Sequence, residues 1–433
     1  MAGLIWDKGN ATVDERIMRF LAGEDVLLDQ ALFTYDIRAS IAHVRGLSRI
    51  AVLTAEESAT ICHELTQLEQ LFHSGAFVLD ARFEDGHSAI EAHLVEQLGE
   101  VGKKVHTGRS RNDQVLVAQR LYLLDALDAI VELCVQAARI ALERADLGRD
   151  IPMPGYTHLQ RAVPSSVGLW FAAFAEAFID DAHFASMTRS CLDSNPLGTA
   201  AGYGVNLALD REGVTAELGF ARMQLNPIYT QNSRGKFELQ ALMALNQCLL
   251  DVRRLAWDLS LFTTGEFDFV TLPDQYTTGS SIMPNKRNPD VIELLRAATA
   301  PTHGAINELM SLLSLPSGYH RDLQATKGPV LRALTAGLDA LALIPQLLAH
   351  LEFRPARLRA AITPDMYATD RAIELASEGV PFREAYRRTA AELDTLADRT
   401  PEASLNARTS PGATADLRLD LLEARLDQIR VGL

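Results

Sequence analysis

The chain has 433 residues, of which 48% are apolar and 22% charged, and its formal net charge is −15. The length is about three times an ordinary domain and the composition is that of a globular protein, so a disordered chain is excluded and two or three domains are expected. The negative balance repels a phosphate backbone or an anionic membrane surface; no nucleic-acid or membrane partner is expected, while a small anion in a local basic patch stays compatible.

In chain order, the segment Met1 to Phe20 carries Asp7, Lys8, Asp14, Glu15 and Arg16 and lacks the apolar block of a secretory leader. The first long element runs from Arg109 to Leu147 without Gly or Pro, with Leu116, Leu123, Leu124, Leu127, Ile130, Val131 and Cys134 recurring at helical spacing. A helix through most of it would be roughly 50 Å long at the α-helical rise, far beyond the usual three turns. Similar stretches cover Leu169 to Asn195 and Lys236 to Thr264. Shorter helices are predicted over Val291 to Ala300, Ala305 to Leu315 and Leu331 to Leu351, the last broken near Pro345. No apolar run is expected to span a bilayer; the strongest candidate, Gly168 to Ile179, is short and contains Glu176.

Strand signals are weak, because β-branched alternation never persists. Long helices apolar on more than one face predict an all-α fold built on a central bundle whose members are buried on most sides. We read a helical domain over residues 1–107, a long-helix bundle over 108–361 and a small domain over 362–433 that includes a turn-rich loop from Arg399 to Thr414. Cys62, Cys134, Cys191 and Cys248 are widely separated and lie in apolar helical stretches, which predicts buried free thiols in a reducing compartment, hence a cytoplasmic enzyme.

Four polar loops punctuate this background: Lys103 to Asp113, Pro154 to Ser166, Asp193 to Gly204 and Gln275 to Pro289. In the last, Asn288, Pro289 and Asp290 form a good helix start. A capped linker does not explain why Ser280, Ser281, Lys286 and Asn288 crowd just ahead of it. Hydroxyls, a cation and an amide beside a positive dipole end suit an anion whose charge grows during a reaction, and the glycine and paired serines permit a mobile lid. Ser110, Asn112 and Asp113 can cap the long helix, with Arg109 and Arg111 flanking its start as a second anion site. Thr157, His158 and Gln160 lie in a polar loop; a lone histidine is more often structural. There is no phosphate-binding loop, dinucleotide fingerprint, nucleophile elbow or zinc-protease motif, and the histidines have no metal-ligand spacing. Acid–base chemistry without cofactor or metal on an anionic substrate is the reading left.

Gly279-Ser280-Ser281-Ile282-Met283-Pro284-Asn285-Lys286-Arg287-Asn288-Pro289 resembles the G-S-S-x-M-P-x-K-x-N-P signature of the fumarase/aspartase superfamily, a long and specific motif. His106 to Gln114 (HTGRSRNDQ) and Gly155 to Arg161 (GYTHLQR) resemble segments of argininosuccinate lyases. Further similarity covers Asp36 to Gly46, Glu84 to Glu91, Leu315 to Lys327 and Thr363 to Asp370, nearly end to end.

The resemblance implies a homotetramer around a bundle of long helices, with active sites shared between three subunits and argininosuccinate as substrate. It implies that Ser280 removes the proton β to the leaving nitrogen, through an aci-carboxylate, releasing arginine and fumarate. His158 with Glu293 would support this step, and Lys286 and Asn288 would hold the fumarate-forming carboxylates. Ser110, Arg111, Asn112 and Thr157 would line the pocket. Ser40, His87, Tyr319, Gln324 and Lys327 would address the rest of the substrate, with Asp85 a nearby structural acid. Two segments depart from the family pattern: Gln231 to Glu238 (QNSRGKFE), where many argininosuccinate lyases have an acid directly after the arginine, and Gly198 to Gly204 (GTAAGYG). The alternatives are another lyase of the superfamily, acting on adenylosuccinate, aspartate or malate, and a catalytically silent structural protein.

Overall fold

The structure is a computed structural model that describes residues 16, 17, 20, 23–80 and 82–429. Asp7, Lys8, Asp14 and Glu15, read above against a leader, lie outside the described residues.

The described chain is helical almost throughout, as the long periodic stretches require. It begins with α1 (Asp25–Asp29), α2 (Phe33–Arg49), α3 (Ala55–His73), α4 (Gly86–Leu98) and the 37-residue α5 (Arg111–Leu147). A hairpin of β1 (Pro152–Thr157) and β2 (Gln160–Ser166) follows, then α6 (Val167–Leu192) and α7 (Lys236–Phe262). After the signature loop come α8 (Asp290–Ala297), α9 (Thr299–Leu312) and α10 (Lys327–Ala342). Pro345 sits in the first turn of the next helix, Ile344–His350, which places the break where the proline cannot donate to a preceding turn.

Several local predictions are corrected. The polar loop Pro154 to Ser166 is an antiparallel hairpin with a register shift between Pro154 and Tyr156; its alternation is too short and proline-rich to read as strand. Within the turn-rich stretch Arg399 to Thr414, Thr400 accepts the backbone N–H of Ala403 and starts a helix over Pro401–Ala407. Cys134 and Cys248 are buried, but Cys62 is half-buried and Cys191 exposed. The run Arg321–His350 has the length and apolar composition of a membrane span, half of it buried inside the protein.

Two compact units organise the chain. The first comprises Met1–Leu127, Met187–Met243 and Pro301–Thr335, and the second Asp128–Ser186, Ala244–Ala300 and Ala336–Leu433. In the first, Phe33, Ile37 and Val44 of α2, Ile61, Leu65 and Leu68 of α3, and Ile90 and Leu94 of α4 close one core. Terminal groups hold these helices: Thr54 and Glu57 form a reciprocal capping box on α3, and Asp85 caps α4 through the N–H of Ser88. In the second unit Trp170 is the centre of an aromatic cluster with Phe171, Phe174, Phe262 and Phe353, and its indole N–H donates to Asp258 at 2.9 Å.

Candidate active site

In the second unit the signature loop is a closed excursion. Thr278 and Asn288 exchange backbone hydrogen bonds of 3.0 and 2.8 Å, and Arg287 pins the base by donating to Thr277 Oγ1 and the Leu272 carbonyl. Residues 281–287 are exposed. Asn288 is therefore the loop's clasp and not a helix cap; α8 starts after Pro289 without a side-chain cap. At the tip Ser280 is half-buried, and its Oγ accepts the backbone N–H groups of Ile282 and Met283 at 3.3 and 3.1 Å. Two N–H dipoles aimed at one hydroxyl oxygen stabilise negative charge there. Lys286 is exposed, and among the described residues its ammonium makes no ion pair. Glu293, in the first turn of α8, is exposed and 3.5 Å from Arg296.

The hairpin tip carries His158. His158 and Leu159 have φ of 53° and 58°, a two-residue turn with both residues left-handed. Turns of this kind favour Asn-Gly, and side chains there cost roughly 1–3 kcal/mol; a strained histidine held out on an exposed tip fits a functional constraint. Thr157 is exposed beside it. His158 and Glu293, expected to pair, are not joined to each other in the single chain.

The first unit holds the remaining candidates, with Lys327, His87 and Ser40 buried against polar partners. Lys327, 1% exposed, is 2.6 Å from Asp29 and 3.1 Å from Asp25. Burial opposes its charge, but the two carboxylates prevail and raise its pKa. Asp29 uses its other oxygen to accept the N–H of Gly86 at 2.8 Å. Next in sequence, His87 is buried against Asp36. That contact, His87 Nδ1 to Asp36 Oδ2 at 2.5 Å, is an ion pair and not a well-formed hydrogen bond. Burial works against the imidazolium, and Asp36 more than offsets it, so the His87 pKa is raised.

Arg111 lies 3.0 Å from Glu84 and 3.4 Å from Asp85. Arg109 donates to Ser40 Oγ, the Val105 carbonyl and His106 Nδ1, and its burial lowers its pKa to about 10. Arg109 and Arg111, expected to flank the α5 start as an anion site, both stand beside internal partners from neighbouring elements that the local sequence does not show. Ser40, expected to address substrate, is fully buried as an acceptor for Arg109. Ser110 and Asn112 remain at the helix start, where Ser110 donates its N–H to Asp113 and accepts that of Asn112. Tyr319 is half-buried under the Arg234 guanidinium, 5.9 Å from the ring centre. Gln324 lines an open 580 Å³ cavity with Asp25, Glu308, Arg321 and Arg332.

Residues 10–304 match the Lyase family model. The argininosuccinate lyase of Stenotrophomonas maltophilia is 61% identical over 426 residues, covering 98% of this chain and 99% of that protein. The argininosuccinate lyase of Xanthomonas campestris pv. campestris is 60% identical over 431 residues, covering 99% of this chain and 100% of that protein. The chain belongs to the argininosuccinate lyase family. Among solved structures, EDDS lyase in complex with formate is similar with a TM-score of 0.82 and 24% identity, over 97% of this chain and 92% of that one. The class II fumarase of Schistosoma mansoni aligns at 0.70 with 16% identity, over 91% and 93%. These two likenesses show the fold, all-α and of the fumarase/aspartase type.

The structure describes both departures from the argininosuccinate lyase family pattern. Gly235 has φ +81°, and a Cβ there would lie 2.5 Å from Leu313 Cδ2, so an acidic side chain would strain the backbone and require Leu313 to shift. Glu238 is buried in the first turn of α7; its burial raises its pKa while Arg120 and Arg234 pull against that rise. In the GTAAGYG loop, Asp113 accepts the N–H groups of Gly198 and Ala200 at 3.0 and 2.9 Å, which ties this loop to the start of α5.

Sequence reasoning missed Asp25, Asp29 and Asp36 as the partners of expected site residues. One signal was available: Asp25 and Asp29 are four apart, one face of a helix.

Proposed function

We propose that this chain splits argininosuccinate into arginine and fumarate by reversible β-elimination, with Ser280 as the base. The observation that carries the assignment of Ser280 is its Oγ receiving the N–H groups of Ile282 and Met283. A serine hydroxyl is a poor base unless its alkoxide is stabilised, and these dipoles supply that stabilisation without Lys286 having to reach it. The alkoxide takes the proton on the carbon β to the leaving nitrogen. The electron pair moves into the adjacent carboxylate as an aci-carboxylate, then returns to form the double bond as the guanidino nitrogen leaves.

Lys286, exposed and unpaired among the described residues, offers a free cation for that growing charge, and Asn288 an amide beside it. His158 with Glu293 would support proton return to the leaving arginine, directly or through water. Ser110, Arg111, Asn112 and Thr157 would line the pocket, and His87, Tyr319, Gln324 and Lys327 would face the arginine side. Lys327 and Arg111 are each balanced by carboxylates, so their surroundings suit the ammonium and guanidino groups better than bare cations would.

The working form in this reading is a homotetramer with sites shared between subunits. His158 and Glu293 stay apart in one chain, which completion by neighbouring copies accounts for. Exposed Phe184 and Met187 on α6 and Met243, Leu250 and Trp257 on α7 are the apolar surface such packing would cover. The free thiols fit a cytoplasmic enzyme.

Ultraviolet detection of fumarate after mixing the protein with argininosuccinate tests the reading, with adenylosuccinate, aspartate and malate in parallel. Fumarate should appear from argininosuccinate alone, and Ser280→Ala should abolish it with helical content and oligomeric state unchanged. Undiminished turnover by that variant would overturn the base; fumarate from a different substrate alone would overturn the specificity.

A further inference from the structure

We infer that Cys134, Asp181 and Cys248 form a binding site for a soft divalent cation of the zinc type, joining α5, α6 and α7 inside the second unit. The two cysteines are fully buried and Asp181 is 5% exposed. One ligand atom from each lies within 4.8 Å of both others. Among the described residues no other three such side chains converge in this way.

The spacing is the first argument. The two sulfurs are 3.6 Å apart. Two thiolates bound to zinc at about 2.3 Å with a tetrahedral angle would be separated by roughly 3.8 Å. The sulfurs therefore stand close to the edge of a coordination polyhedron before any ion arrives. A disulfide would need them at about 2.05 Å, a shift of well over an ångström across packed helices.

The second argument is the carboxylate. Asp181 Oδ2 is buried and has no hydrogen-bond partner, a condition that is costly for a carboxylate and rare in folded proteins. The charges that act on Asp181, those of Asp180 and Asp251, are both negative. A cation satisfies the orphaned oxygen and this local field together. On binding, the two thiols release their protons to solvent, and the two thiolates with the Asp181 carboxylate set three negative charges around the divalent ion. Two sulfurs and one oxygen are a donor set that selects zinc over magnesium or calcium. The ligands come from three core helices, so the ion acts as a cross-link and would load as the helices assemble.

Cys134, Asp181 and Cys248 are none of the residues assigned to catalysis or substrate, so occupancy and turnover can be read separately. The test is to produce the untagged full chain in medium supplemented with cobalt as the zinc surrogate, then measure metal content and near-ultraviolet and visible absorption after exhaustive dialysis. Wild type should hold about one cobalt per chain, with thiolate-to-metal charge transfer and tetrahedral bands in the visible. Cys134→Ala/Cys248→Ala, chosen because both substitutions are small and apolar, should lose the bands and at least about nine-tenths of the metal while keeping helical content and fumarate formation. Asp181→Asn is a second, isosteric probe and should weaken retention during dialysis with the fold intact. Equal metal in wild type and the double variant, no metal in wild type, or a Cys134–Cys248 disulfide in the purified protein would each overturn the inference.

Discussion

The ammonium of Lys327 is 2.6 Å from Asp29 and 3.1 Å from Asp25, in surroundings that leave the lysine 1% exposed. Removing one member of such a buried group leaves the others uncompensated, which is far more harmful than removing both. Lys327→Met is therefore expected to destabilise the protein by about 3–5 kcal/mol. Adding Asp29→Asn to that variant should recover part of the loss. Urea denaturation of the single and double variants checks this, and a double variant as unstable as the sum of its parts would show that the charges are not coupled.

His87 predicts a pH dependence. Its folded-state pKa is raised, burial being outweighed by Asp36, so folding favours the protonated imidazole. The stability it contributes is fully present below the unfolded value of about 6.5 and is lost as pH rises through the raised folded value. Unfolding free energy should fall with rising pH across that window in wild type, and His87→Gln should flatten the slope. Matching slopes in the two proteins would refute the pairing.

Gly235 combines a left-handed backbone with a wall, since an added Cβ would meet Leu313 Cδ2 at 2.5 Å. Gly235→Ala is expected to cost about 2 kcal/mol or more from backbone strain and overpacking together. Gly235→Asp, which places an acid directly after Arg234, should be worse. Thermal melts distinguish this from a surface position, where either change would be nearly neutral.

His158 sits at φ 53° in the hairpin turn, a conformation that asparagine tolerates well. His158→Asn should thus leave the melting temperature unchanged or slightly higher. Fumarate formation from argininosuccinate should nevertheless fall by about tenfold or more if the imidazole assists proton transfer. Full activity in a folded variant would return His158 to a structural role.

Much of this was legible along the chain because it is local. Helix extents follow from periodicity and from where Gly and Pro interrupt it, so α5, α6 and α7 were placed within a few residues. Ser110 and Asp113 reveal themselves as end groups because capping operates over two or three residues. The signature loop is recognisable because its hydroxyls, amide and cation occur in one short run. The hairpin at His158 was missed for the converse reason: two strands interrupted by Pro154 and Pro164 carry little alternation, and only pairing across the turn defines them.

By itself, the sequence determined the all-α architecture, the family and the identity of the polar loops, since each depends on residue types at short spacing. Tertiary structure alone decided which charges are free. Arg111 and Lys327 read as available cations until Glu84 and Asp85 meet the one and Asp25 and Asp29 the other. Cys134, Asp181 and Cys248 likewise have no motif until three helices bring them within 4.8 Å. Electrostatic and ligand interactions act through space over a few ångströms, and distance along the chain carries almost no information about that separation once long helices pack side by side.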